Sequence, residues 1–489
     1  MQTQALVRLL GSWSGGKGPL QQKLSRGLMQ AIRHGVLNPG VRLPSERALA
    51  EALRVSRTTV VAAYDALREG GWLESRSGSG TWVCARSSVI AAARGAAHAA
   101  VLASSPLLGL LAHQDGDDLI DFALGTPLPL PDLPAELFSL PADEYSALVR
   151  DRLYHPLGLA ALRQAIATEY AHCGLRTAPE QVLVTNGAQQ AIALCAAWCL
   201  QRGDTVLVED PTYFGALDAF RAAGARLATL RVEANGVPPS AIRDRIAATA
   251  ARLVYLTPTF QNPTGVVMPA AARKEAVRIV TEFGVPAIDD RTMADLILDG
   301  SPPPPLAAHA PDALVLTIGS LSKLIGPGLR VGWVRAPEPV IERLARLKSA
   351  MDLGSPLLTQ AIAVRLLGAM SQARKLRQQQ LKPRRDLAAA WLREHLPEFQ
   401  FRVPAGGLFL WVKLPAGDGR ELAQVALRHG VVILPGPTMS AVEEHASFLR
   451  VPFLAEPETL RTGLSRLAAA WRDYQSTGRP ERHQKVAII

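Results

Sequence analysis

The chain has 489 residues, of which 48% are hydrophobic and 20% charged, with a formal net charge of +10. That length exceeds one ordinary domain, and the balance describes a globular chain able to bury cores, which excludes a disordered or collagen-like protein. Residues 1–83 hold eleven Lys and Arg against five Asp and Glu, so +6 of the net charge favours a nucleic-acid partner at that end.

The N-terminus shows no basic-then-apolar signal. The most apolar helical stretch, residues 188–200, contains Gln189 and Gln190 and is too short to span a bilayer. The four cysteines, Cys84, Cys173, Cys195 and Cys199, lack metal-ligand spacing, and the last two fall one helical turn apart as core residues. A cytoplasmic, reduced protein without a metal or a membrane partner is expected.

Residues 19–36 place Leu20, Leu24, Leu28, Ala31 and Ile32 at helical spacing, with Gly35 as a stop. A Pro-Gly turn then leads to Ser45, an N-cap for a second helix through Leu53. Ser56 caps a third helix that buries Val60, Val61, Tyr64 and Leu67 and presents Ser56, Arg57, Thr58 and Thr59 at its start. Residues 72–76 and 81–83 read as a hairpin around a Ser-Gly-Ser-Gly tip. Three helices and a hairpin in this order form a winged helix-turn-helix, whose third helix meets base edges and phosphates.

The runs Leu37-x-Pro39-Gly40-x-Arg42-Leu43-Pro44-Ser45-x-Arg47, Val55-Ser56-Arg57-x-Thr59-Val60 and Gly78-x-Gly80-Thr81 resemble the GntR-type winged-helix family. The resemblance implies that Arg47, Ser56, Arg57, Thr58 and Thr59 contact double-stranded DNA, with Ser77 and Gly78 at the wing tip. The head is assigned to residues 1–84 and an Ala-rich linker to 85–116.

From residue 117 to 470, apolar strands at 182–185, 205–208, 253–256, 286–289 and 314–317 alternate with Ala/Leu helices and end in polar residues. That pattern is an α/β sheet whose carboxyl ends carry the site. Gly187, Ala188 and Gln189 open a helix whose free N–H groups suit an anion. Tyr213 follows a strand end, where an aromatic can stack on a planar ring or fill the core. Asn262 sits in a proline-punctuated turn, and Asp289 and Asp290 end a strand. Ser320, Ser322, Lys323 and Arg330 then follow the last strand: a lysine held neutral by desolvation attacks aldehydes, and the hydroxyls and guanidinium suit a phosphate. A lysine between serines suits a solvated loop equally well; the order of the stations favours chemistry.

That order, over residues 119–455, resembles the fold-type-I aminotransferases, with large and small subdomains. The resemblance implies pyridoxal 5′-phosphate (PLP) held as an internal aldimine on Lys323, with Ser320, Ser322, Arg330, Gly187, Ala188 and Gln189 around its phosphate. It assigns Tyr213 to ring stacking, Asn262 to the phenolic oxygen and Asp289 to the pyridinium nitrogen. Arg450 would pair with an effector carboxylate, and Tyr154 would serve the neighbouring subunit's phosphate in a homodimer, domain-swapped head to tail. Arg291 stands where the family usually has a tyrosine on the phenolic oxygen, so at most partial or slow transamination is expected.

Head and body together resemble the MocR/GabR family of bacterial transcriptional regulators. The expected function is a PLP-dependent regulator that senses an amino compound through the aldimine at Lys323. An active aminotransferase with an appended DNA-binding domain is the alternative, and PLP itself as effector a third reading. Residues 471–489 are expected to form a disordered tail.

Overall fold

The computed structural model describes residues 3–10, 13–14, 18–33, 37, 40–76, 80–84, 119–130 and 132–476. The expected wing tip with Ser77 and Gly78, and the linker at 85–116, lie outside them.

The head is built of α1 (Thr3–Leu10), α2 (Leu20–Arg33), α3 (Glu46–Leu53) and α4 (Arg57–Glu69), followed by the antiparallel pair β1 (Leu73–Arg76) and β2 (Gly80–Val83). The helix starts follow their caps. Ser45 Oγ accepts from Ala48 N at 3.2 Å, and Ser56 Oγ accepts from Thr59 N at 3.1 Å. Leu24, Leu28, Leu49, Val60, Tyr64 and Leu67 make one core, and the Tyr64 hydroxyl donates to Pro44 O at 3.0 Å. Helix α1 is an addition to the expected three. Its Leu6, Leu9 and Leu10 are buried in that same core.

The large sheet has seven strands in the order β4-β10-β9-β8-β7-β5-β6. They are β4 (Val182–Thr185), β5 (Thr205–Asp210), β6 (Arg226–Arg231), β7 (Leu253–Leu256), β8 (Ala287–Asp290), β9 (Val315–Ser320) and β10 (Gly332–Arg335). All pair in parallel except β10, which runs antiparallel to both β4 and β9. Strands β4, β5, β7, β8 and β9 are buried at every position, which is why they read as unbroken apolar runs rather than alternating ones. Their carboxyl ends gather at one edge, where Asp210, Asp290 and Ser320 end their strands.

Two further strand pairs follow the smaller subdomain's pattern. Strand β11 (Phe409–Lys413) is antiparallel to β13 (Phe448–Pro452), and β3 (Ile120–Phe122) runs parallel to β12 (Val431–Pro435). The described residues cluster into two compact units. One contains the head, β3, the helix Gly419–Arg428 with β12, and the end of the helix Pro457–Ser476; the other contains the large sheet with β11 and β13. Within the first, Arg428 Nη1 donates to Leu9 O at 3.2 Å and so ties α1 to the helix Gly419–Arg428.

The tail expected from residue 471 is corrected. The helix Pro457–Ser476 continues through Trp471, which is 2% exposed, and the Tyr474 hydroxyl donates to Glu421 at 2.8 Å and accepts from Asp418 N at 3.0 Å. Buried aromatic surface and a satisfied phenol hold this turn in place; residues 477–489 lie outside the described residues. Among the described residues no helix is long and apolar enough to cross a membrane.

Candidate cofactor and DNA-binding sites

Lys323 follows β9 on a short irregular turn, and its Nζ donates to Gly125 O at 2.7 Å. Burial, then the cations of Arg450 and Arg330, push its pKa down to about 8. About a tenth of such an amine is neutral at pH 7, against about one part in three thousand for a solvated lysine. Ser320 Oγ lies 3.1 Å from Ser322 Oγ and accepts from Ser322 N at 3.2 Å, so both hydroxyls stand together at the strand end.

A helix start and a guanidinium lie near the lysine. Gly187 (φ +90°) precedes the helix Ala188–Cys199, which has no side-chain cap on its first N–H groups. Arg330 Nη2 donates to Asn186 O at 2.9 Å, and a Cβ on Gly187 would stand 3.1 Å from that same nitrogen. Glycine there permits both the left-handed turn and the approach of the guanidinium to the helix start. Gln189 is only partly available, because its Nε2 donates to Gly215 O at 2.7 Å. A support that sequence reading missed holds this corner. Asp352 Oδ2 accepts from Asn186 Nδ2 at 3.0 Å and Gln190 Nε2 at 2.8 Å, while its Oδ1 accepts from the fully buried Lys348 at 2.8 Å.

Tyr213 precedes the helix Phe214–Ala222, and its ring tip lies over Gly215, where a Cβ would come within 2.5 Å of it. Burial, with the charge of Asp290, pushes its phenol up to about 12. Arg450, on β13 and 2% exposed, has its Cζ 4.0 Å from the centre of the Phe409 ring. Its Nη1 donates to Asn262 Oδ1 at 3.3 Å, and its Nη2 donates to Ala123 O. Lys323, Tyr213, Arg450 and Arg330 lie within reach of one another's charges, and Arg450 bonds Asn262.

The paired acids do not. Asp289 and Asp290 are consecutive strand residues and face opposite sides of the sheet. Asp289 shares a face with Thr317; its Oδ2 accepts from Leu306 N at 2.8 Å, and its nearest charges are Arg291 and Arg273. Asp290 faces the other way. Its Oδ2 accepts from Tyr255 Oη at 2.6 Å and its Oδ1 from Thr292 N at 2.9 Å, and its charge bears on both Lys323 and Tyr213. The carboxylate on the lysine's side is therefore Asp290, not Asp289. Arg291 goes with Asp289: it acts on the buried Tyr170 and on Cys173, while the tyrosine hydroxyl bonded to Asp290 comes from Tyr255 on β7.

Tyr154 is 75% exposed. In the head, Arg47, Ser56, Arg57 and Thr58 are exposed and Thr59 is half-buried. Ser56 Oγ lies 2.7 Å from Thr58 Oγ1 and 2.8 Å from Thr59 Oγ1, a hydroxyl cluster at the positive end of α4 that suits phosphate oxygens.

Comparison with known proteins agrees with this division. The profile of aminotransferase class I and II matches residues 145–467, and that of bacterial regulatory proteins of the gntR family matches residues 20–83. The uncharacterized HTH-type transcriptional regulator YdfD of Bacillus subtilis (strain 168) is 31% identical over 94% of this chain and 98% of its own. The probable rhizopine catabolism regulatory protein MocR of Rhizobium meliloti is 29% identical over 94% of this chain and 95% of its own. Among solved structures, the α-aminoadipate aminotransferase LysN of Thermus thermophilus, complexed with N-(5′-phosphopyridoxyl)-L-leucine, superposes with a TM-score of 0.71 at 30% identity. That likeness covers 79% of this chain and 99% of LysN.

Proposed function

We propose, from the premise that this chain belongs to the MocR/GabR-type transcriptional regulators with a GntR head and an aminotransferase-like body, that it binds PLP at Lys323 and that an amino compound engaging this site alters its grip on DNA. The observation that carries the reading is the Lys323 amine, held near pKa 8 at a strand end beside the Gly187 and Arg330 anion site. The donor set fits the cofactor: a helix start without a side-chain cap, one guanidinium and two hydroxyls for a phosphate, Tyr213 for the ring, and Asp290 for a protonated ring nitrogen. Bound there, PLP supplies an aldehyde and an electron-accepting ring.

Each residue has a task. Lys323 delivers the neutral amine, which the Arg450 and Arg330 charges favour. Asp290, itself held by Tyr255 and Thr292, keeps a negative charge on the lysine's side of the sheet. Arg450 offers its fork to a ligand carboxylate, exchanging its bond to Ala123 O for a charged one. The exposed Tyr154, next to the 70% exposed Leu153, supports a homodimer in which this edge meets a second subunit. Regulation, rather than turnover, is favoured by a head whose α4 start is open to DNA.

The test titrates the protein with PLP, follows the cofactor's absorbance, and then measures operator binding with and without added amino acids. Ligand-dependent operator affinity with little release of 2-oxo acid is the expected result. Rapid transamination with operator affinity unchanged by every amino compound would overturn the sensor reading.

A further inference from the structure

We propose that Arg377 is a positioning residue for Lys323, fixing the turn that carries the amine against the segment that receives its hydrogen bond. Arg377 lies in the helix Met370–His395, more than fifty positions from the lysine in sequence, and is fully buried. Its Nε and Nη2 both donate to Leu324 O, at 3.0 and 2.6 Å, and Nη2 also reaches Ile325 O at 3.4 Å. Its Nη1 donates to Leu128 O at 2.7 Å and to Gln380 Oε1, while Gln380 Nε2 donates to Pro129 O at 3.1 Å. One planar fork therefore joins the two residues after Lys323 to the segment whose Gly125 O accepts from the lysine.

The partners are uncommon for a buried cation. Among the described residues no carboxylate bonds to this guanidinium, and burial lowers its pKa to about 10, so it stays charged at neutral pH. A charge desolvated without a counter-ion costs stability, and a staple could be made with apolar side chains at lower cost. What the fork alone provides is direction: its N–H groups point in one plane, and their acceptors bracket the Lys323–Gly125 bond from both strands of backbone. Glycines at 326 and 328 leave the turn free to relax once that bracket is gone.

The inference rests on the reading of Lys323 as the PLP lysine, but its test does not need the cofactor. In cofactor-free protein, the pH dependence of Lys323 acylation, read by mass spectrometry, gives the amine's proton affinity directly. In Arg377→Lys, a point donor that satisfies fewer carbonyls, the midpoint should move up from about 8 towards the ordinary lysine value of about 10.4, by about one unit. Arg377→Gln should move it further, and both should weaken PLP binding by roughly tenfold or more. Far-ultraviolet circular dichroism and the cooperative thermal transition of the full chain serve as the folding control. If Arg377→Gln does not fold, Arg377→Lys decides. A folded variant with the parental acylation midpoint and the parental PLP affinity overturns the proposal. Failure of the parent protein to take up PLP would instead overturn the cofactor reading, and the acylation midpoints would still decide the role of Arg377.

Discussion

The pH profile of cofactor capture tests the site most directly, because only the neutral amine attacks an aldehyde. With a pKa of about 8, the Lys323 amine is about 9% neutral at pH 7, about half at pH 8 and about 91% at pH 9. Capture of PLP by cofactor-free protein should therefore accelerate about fivefold from pH 7 to 8, less than twofold from 8 to 9, and then level off. A solvated lysine would gain about tenfold at each step. The phosphate second pKa near 6 lies below this window, so the phosphate's charge is nearly constant across it. Stopped-flow absorbance measures the rates. Replacing Arg450 with Gln removes the largest cationic contribution at the amine, so the plateau should shift to higher pH. A profile that climbs tenfold per unit through pH 9, in both proteins, would refute a desolvated, cation-flanked lysine.

Three further outcomes are expected. Asp290→Asn should weaken PLP binding and change the cofactor's spectrum, whereas Asp289→Asn should leave both as they are; titrating each variant with PLP checks the assignment. Gly215→Ala should lose PLP affinity by about tenfold, since its methyl would fall 2.5 Å from the Tyr213 ring; overpacking of this kind costs about 1–3 kcal/mol, and a fluorescence titration reads the loss. Arg57→Ala should weaken operator binding by about 1–3 kcal/mol while the PLP spectrum stays the same, measured by gel shift and absorbance on the same preparation.

Much of this was legible from local chemistry. Ser45 and Ser56 cap the helices they announce, and the strand ends carry Tyr213, Asn262 and Lys323 to one edge. What was hidden has common causes. The direction of β10 is written in no residue of its own; eleven residues separate Ser320 from Gly332 and hold no full helical crossover, so the strand must return antiparallel. The choice between Asp289 and Asp290 turns on strand register, since one position moves a side chain to the opposite face. The burial of Arg377 has no local sign, because the carbonyls it bonds lie more than fifty positions away in sequence. Helix α1 is only eight residues long, too short to stand out before its leucines are seen inside the head's core.

The carbonyls of Ala123 and Gly125 accept from Arg450 and Lys323. An amine that condenses with an aldehyde gives up the hydrogens it donated, so capture of the cofactor would by itself release Gly125 O. The Arg450–Ala123 bond is untouched by that step and is left for a carboxylate to exchange. A molecule without a carboxylate would then leave the second tether in place. The stretch held by the two bonds begins at the residue after β3, so its release would take two chemically different signals.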